Sequence, residues 1–91
     1  MDFRLTPQFI KDAQKLKKEN PKLTSKVLDL IIAIELSSNE PLSGIGQPEL
    51  LKGNLSGCYS RRINQKHRLI YRYSPSYKVD LLSCYGHYTD R

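Results

Sequence analysis

Apolar residues recur at helical spacing twice in the first 36 positions of this chain, then alternate with polar ones in short runs after position 57. Phe3-Arg4-Leu5 alternates and predicts a leading or edge strand. Thr6-Pro7 predicts a helix start, because threonine can cap and proline at the first helical position gives up no needed hydrogen bond. Phe9, Ile10, Ala13 and Leu16 then share one face, with Lys11, Lys15, Lys17 and Lys18 elsewhere. Asn20-Pro21 ends that helix and opens another, whose apolar stripe runs through Leu23, Val27, Leu28, Leu30, Ile31, Ile34 and Leu36. So short a joint predicts an antiparallel helical hairpin.

From Ser37 to Gly57 the residues are those of loops and turns: Ser37-Ser38-Asn39, Pro41, Gly44, Gly46, Pro48, Gly53 and Gly57, with Leu50-Leu51 positioned to touch the core. Three strand-like runs follow, Cys58 to Ile63, His67 to Tyr73 and Tyr77 to Tyr85, joined by hairpin-length connections at 64–66 and 74–76. The expected fold is α+β, in the order β-α-α-β-β-β, with the helical hairpin on one face of a small, mainly antiparallel sheet. The other face is then wet or covered by a partner. Alternation sets Cys58, Ser60 and Arg62 against Tyr59, Arg61 and Ile63, and puts Arg62 and Arg68 on the open face.

Ninety-one residues suit a single domain spanning 1–91, since two cores of half that length would be too small to stand alone. Cys58 and Cys84 are too few for a disulfide framework, and Cys84, after Leu81-Leu82-Ser83, reads as a small core hydrophobe; a reduced cytoplasm is the expected setting. The start has no apolar signal segment, and Leu30 to Ile34 is far too short to span a membrane. Charge changes the picture more. The net +6 comes mostly from positions 46–91, with eight Lys/Arg against three acids, while positions 1–45 hold seven against six. The tyrosines and both histidines, His67 and His87, lie in the same basic half. A pI near 9.5 with this asymmetry suits nucleic acid or an acidic protein.

Cleaving RNA without a metal needs a base for the 2′-hydroxyl, a cation for the phosphorane and an acid for the leaving oxygen. The basic half supplies Glu49, Lys52, Arg62, Arg68, His87 and Tyr88 for those tasks. It offers no metal-ligand cluster, so no metal or other cofactor is expected. Singly, each residue has a bland reading: a loop glutamate, a charged Arg61-Arg62 doublet on a strand, a structural or exposed His67, and strand tyrosines that pack a sheet. Their order and spacing carry the signal.

Pro48-Glu49-Leu50-Leu51-Lys52, Asn54-Leu55-Ser56-Gly57 with Ser60-Arg61-Arg62-Ile63, His67-Arg68-Leu69-Ile70-Tyr71 and His87-Tyr88 together closely resemble the Txe/YoeB toxins of the RelE/ParE-like superfamily. The resemblance implies a ribosome-dependent endoribonuclease that cuts mRNA in the A site of the 70S ribosome and so inhibits translation. It implies Glu49 as general base, His87 as general acid, Arg68 as the phosphate-stabilising cation and Tyr88 as an orienting group. Lys52, Arg61 and Arg62 are implied to hold the RNA backbone. It also implies an acidic antitoxin of the YefM/Axe kind whose disordered tail wraps the toxin, and a homodimer or a toxin–antitoxin hetero-oligomer. The chain departs from the family in having Cys58-Tyr59 where two aromatics are usual. Tyr85-Gly86 stands where Arg-Tyr is common, which implies a looser terminal strand, and Thr89-Asp90-Arg91 extend past the tyrosine. Two other readings are a gyrase-directed toxin of the same fold, which needs no ordered carboxylate, arginine and histidine, and a module that binds RNA without cutting it.

Overall fold

The first strand, β1 (Asp2–Leu5), leads directly into α1 (Pro7–Glu19), and the capping follows the sequence signal. Thr6 Oγ1 accepts from the Phe9 amide at 3.2 Å and donates to the Leu81 carbonyl at 2.8 Å, tying the helix start to the sheet. α2 (Lys22–Leu36) follows after the Asn20-Pro21 joint. Then come β2 (Glu49–Leu50), a short 3-10 turn over Gly53–Leu55, β3 (Tyr59–Arg62), β4 (Arg68–Ser74) and β5 (Lys78–Ser83). This computed structural model describes residues 1–87.

The five strands form one sheet in the order β1-β5-β4-β3-β2, with β1 parallel to β5 and every other pairing antiparallel. The β-α-α-β-β-β expectation therefore holds, with one strand added. β2 was hidden in the sequence because two residues between Pro48 and a glycine-rich stretch have no period of their own; pairing of Glu49 with Ser60 and Leu50 with Tyr59 makes them a strand.

Between helices and sheet, Phe9, Leu16, Val27, Leu30 and Ile34 pack against Ile63, Leu69, Tyr71, Val79, Leu81 and Cys84. Tyr59, Tyr71 and Tyr73 form an aromatic cluster at that layer, Tyr59 stacked on Tyr71 with centroids 5.8 Å apart, so these tyrosines are sheet packing. Burial, and secondly Asp12, push the Cys84 thiol up to about 12, which makes it an inert core group. Ile10, Leu28 and Leu36 differ from expectation in being exposed. α2 carries apolar residues round most of its circumference, and the sheet covers only the stripe through Val27, Leu30 and Ile34. Leu28, Ile32 and Leu36, at i, i+4 and i+8, form a second stripe facing away.

The open sheet face is partly covered by the chain itself. Leu51 and Cys58 close over Ile70, with Leu55 and Leu82 packed alongside, making a second apolar cluster opposite the helices.

Candidate functional site

Strand register decides which side chains meet on the open face. Glu49 pairs with Ser60, Ser60 with Ile70, and Arg62 with Arg68. Directly paired residues of antiparallel strands project to the same side, so Glu49, Arg62 and Arg68 share that face, as alternation predicted for the two arginines. Beyond β4, the Arg68 amide donates to the Gly86 carbonyl at 3.0 Å, which brings the segment carrying His87 alongside. Glu49 thus lies on the β2 side of the face, one same-face step from Arg62, and the segment carrying His87 lies beyond β4 on the far side of Arg68.

Glu49, Lys52, Arg62 and His87 are exposed, whereas Arg68 is only 7% exposed. Arg68 Nη1 donates to the carbonyls of Asn64 at 2.7 Å, His67 at 3.1 Å and Gln65 at 3.2 Å, so the β3–β4 turn holds its guanidinium. That turn is shaped by Asn64, whose Oδ1 accepts from the amides of Lys66 and His67. Lys52 caps the 3-10 turn that leads from β2 to β3. His87 lines a cleft of about 260 Å³ with Leu55, Ile70, Leu82, Ser83, Tyr85 and Gly86. Tyr88, the remaining residue of the expected set, lies outside the described residues. Among the described residues no three His, Cys, Asp or Glu side chains cluster as metal ligands would.

Arg61 needs correction. It was expected to hold RNA phosphate, but it is fully buried. Its Nε donates to Tyr71 Oη at 3.0 Å, its Nη1 to the Ile45 carbonyl at 2.8 Å, and its Nη2 to the Ser43 carbonyl at 2.8 Å and Ser37 Oγ at 3.0 Å. The physical reason is the alternation itself: Arg61 belongs to the core-facing set, and a guanidinium there must find acceptors. The 37–46 loop wraps it with them. A Cβ on Gly44, where φ is +100°, would lie 2.9 Å from Arg61 Nη1, so the wrap requires glycine. Arg61 thereby organises the loop that runs into Glu49.

Sequence reasoning missed what holds His87 in place. The run ending at Tyr85 was expected to be strand, but β5 stops at Ser83 and Cys84 to His87 follow an irregular path. The Cys84 amide donates to Asp12 Oδ2 at 3.1 Å. Tyr85 packs against the core apart from the Tyr59, Tyr71 and Tyr73 cluster. Its ring lies 4.5 Å from His67 and carries the Lys15 ammonium at 4.3 Å, and its hydroxyl donates to Glu19. The Gly86 amide donates to His67 Nδ1 at 2.8 Å, with Gly86 at φ +82°, where glycine fits without strain. The Tyr85-Gly86 departure therefore comes with its own anchors.

The fold with its basic open face defines a class, that of small α+β toxins from toxin–antitoxin pairs. Structures with the same architecture include YoeB in a heterotetrameric YoeB–YefM toxin–antitoxin complex from Staphylococcus aureus, 38% identical with a TM-score of 0.79 over 97% of this chain and 98% of that one. A YoeB/ParE toxin from Agrobacterium tumefaciens is 32% identical, with a TM-score of 0.83 over 97% and 100%. Toxin YoeB of Synechocystis sp. is 43% identical over 70 residues, or 77% of this chain and 78% of that protein. The family of YoeB-like toxins of bacterial type II toxin–antitoxin systems matches residues 5–88, and the chain belongs to it.

Proposed function

We propose that this toxin is a ribosome-dependent endoribonuclease that cuts mRNA in the A site of the 70S ribosome, in the cytoplasm. The observation that carries the reading is the row across the open face: a carboxylate on β2, two arginines on β3 and β4, and an imidazole beside β4. In-line attack of a 2′-hydroxyl puts the incoming and departing oxygens on opposite sides of the phosphorus. A base and an acid separated by cations match that demand.

Glu49 takes the 2′-hydroxyl proton. The oxygen attacks phosphorus, and negative charge grows on the phosphoryl oxygens. The guanidinium of Arg68, held on one nitrogen by the turn carbonyls, offers its remaining N–H groups to those oxygens. His87 gives a proton to the departing 5′-oxygen, and Tyr88, the next residue in the sequence, is assigned the orienting role. The products are a 2′,3′-cyclic phosphate and a free 5′-hydroxyl. Arg62 and Lys52, both exposed, hold the neighbouring backbone. No step requires a cofactor. In its resting state the toxin is bound by an acidic antitoxin, as YoeB is by YefM in the Staphylococcus aureus complex.

Primer extension on a ribosome-bound message tests the roles. Glu49→Gln, Arg68→Ala and His87→Gln are each expected to lose about 10²–10³ in cleavage rate. Wild-type rates from all three would overturn the assignment, and double-strand breaks in DNA with intact message would favour the gyrase-directed reading.

A further inference from the structure

We propose that His67 is a positioning residue for the proposed reaction: its unprotonated Nδ1, by accepting the Gly86 amide, fixes the backbone one residue before His87. The inference rests on the ribonuclease reading for its consequence, but the contact is independent of it. His67 is 5% exposed and its own backbone is held on both sides. Its amide donates to Asn64 Oδ1 at 2.7 Å, and its carbonyl accepts from Ile63 at 3.0 Å. The imidazole is therefore a fixed post. Gly86 is gripped twice from neighbouring residues, by His67 Nδ1 through its N–H and by the Arg68 amide through its carbonyl. The same two residues thus set the phosphate cation and the peptide unit that carries the proton donor.

An acceptor at Nδ1 requires the proton, in the neutral ring, to sit on Nε2. Protonation turns Nδ1 into a donor, which faces the Gly86 N–H donor and breaks the grip. Several charged or titratable groups surround the ring. Lys66 and Arg68 flank it in sequence, Tyr85 packs on it, and Glu19 and Lys15 reach it from α1 through Tyr85. Burial, and then Lys66, favour the neutral ring over the opposing pull of Glu19, holding the imidazole below its ordinary range. The grip therefore stays closed through that ordinary range and opens only as pH falls below it.

Asparagine and glutamine separate the role from bulk packing, because Asn Oδ1 stands where Nδ1 does while Gln Oε1 stands nearer Nε2. His67→Asn is expected to cleave within about threefold of wild type. His67→Gln and His67→Leu should lose about 10- to 100-fold in the cleavage step with ribosome affinity unchanged, the scale of a misplaced catalytic group. Gly86 amide exchange, followed by NMR, should quicken in the same two variants. In the wild type, amide protection and cleavage should fall together on acidification, and His67→Asn should lack that shared transition. Wild-type cleavage and amide protection in His67→Leu would overturn the proposal. If the variants unfold, imidazole ¹⁵N shifts of the wild type decide: a proton on Nδ1 at neutral pH would sink it. A wild type that never cuts message would refute the functional reading, while the Gly86 amide still reports on the grip.

Discussion

The guanidinium of Arg61 is directed at Tyr71 Oη and at the carbonyls of Ser43 and Ile45, whereas the side chain of Arg62, one residue on, faces solvent on the opposite side of the sheet. The family resemblance implied RNA contact for both, although alternation set them on opposite faces of the strand. Burial gave them different work. Replacing Arg61 by Ala leaves buried carbonyls and a phenol without their donor, so a loss of about 2–4 kcal/mol is expected by urea unfolding. Arg62→Ala should stay within about 0.5 kcal/mol of wild type and act on RNA contact instead. Equal stability losses at both positions would refute the division. His67 follows the same logic: as one histidine in a strand-like run it read as structural or exposed, and only the return of the chain at Gly86 shows what its ring holds.

Among the elements, β1 is tied to the sheet by one carboxylate in addition to its backbone ladder with β5. Asp80 on β5 accepts from Arg4 Nε of β1 at 2.8 Å, from Arg72 Nη2 of β4 at 3.1 Å and from Ser74 Oγ at 2.9 Å. The hydrogen bond from Arg4, then that from Ser74, hold this carboxyl well below the usual carboxylate range. A depressed folded-state value means that Asp80 stabilises the fold above the unfolded range near ~4, and that this contribution is lost as pH falls through and below it. Asp80→Asn is expected to cost about 1–2 kcal/mol at neutral pH, modest because both arginines are about half exposed and can rehydrate. It should also flatten the acid limb of the stability curve. An unchanged limb in thermal melts from neutral pH down to pH 2 would show that other groups set it. β2 makes a complementary point about legibility. Its two residues, Glu49 and Leu50, carry no strand signal, and their pairing with β3 lifts a proposed catalytic carboxylate out of a loop and onto the arginines' face of the sheet, opposite Ser60.

Across the whole molecule, the helices cover one side of the sheet and leave a basic face and the α2 stripe of Leu28, Ile32 and Leu36 exposed. An antitoxin that binds only the folded toxin stabilises it by mass action. At 100 times its Kd the gain is about 2.7 kcal/mol, or roughly 10–20 °C in melting temperature for a domain of this size. Calorimetry with increasing antitoxin should show that concentration-dependent rise, and a constant melting temperature would refute the partnership. The sequence by itself determined the two helices and the threonine cap on the first, the strands other than β2, the side of the sheet on which Arg62 and Arg68 stand, and the ordered residues that carry the family. Those are local matters, decided by period, capping and alternation within a few residues. Only the tertiary structure decided that Arg61 is a buried strut, that Glu49 lies on a strand and that His67 and Tyr85 grip the segment before His87. Each depends on residues ten or more positions apart, and distant segments leave no periodic signal in one chain; they meet only when the core forms and buried donors must find acceptors.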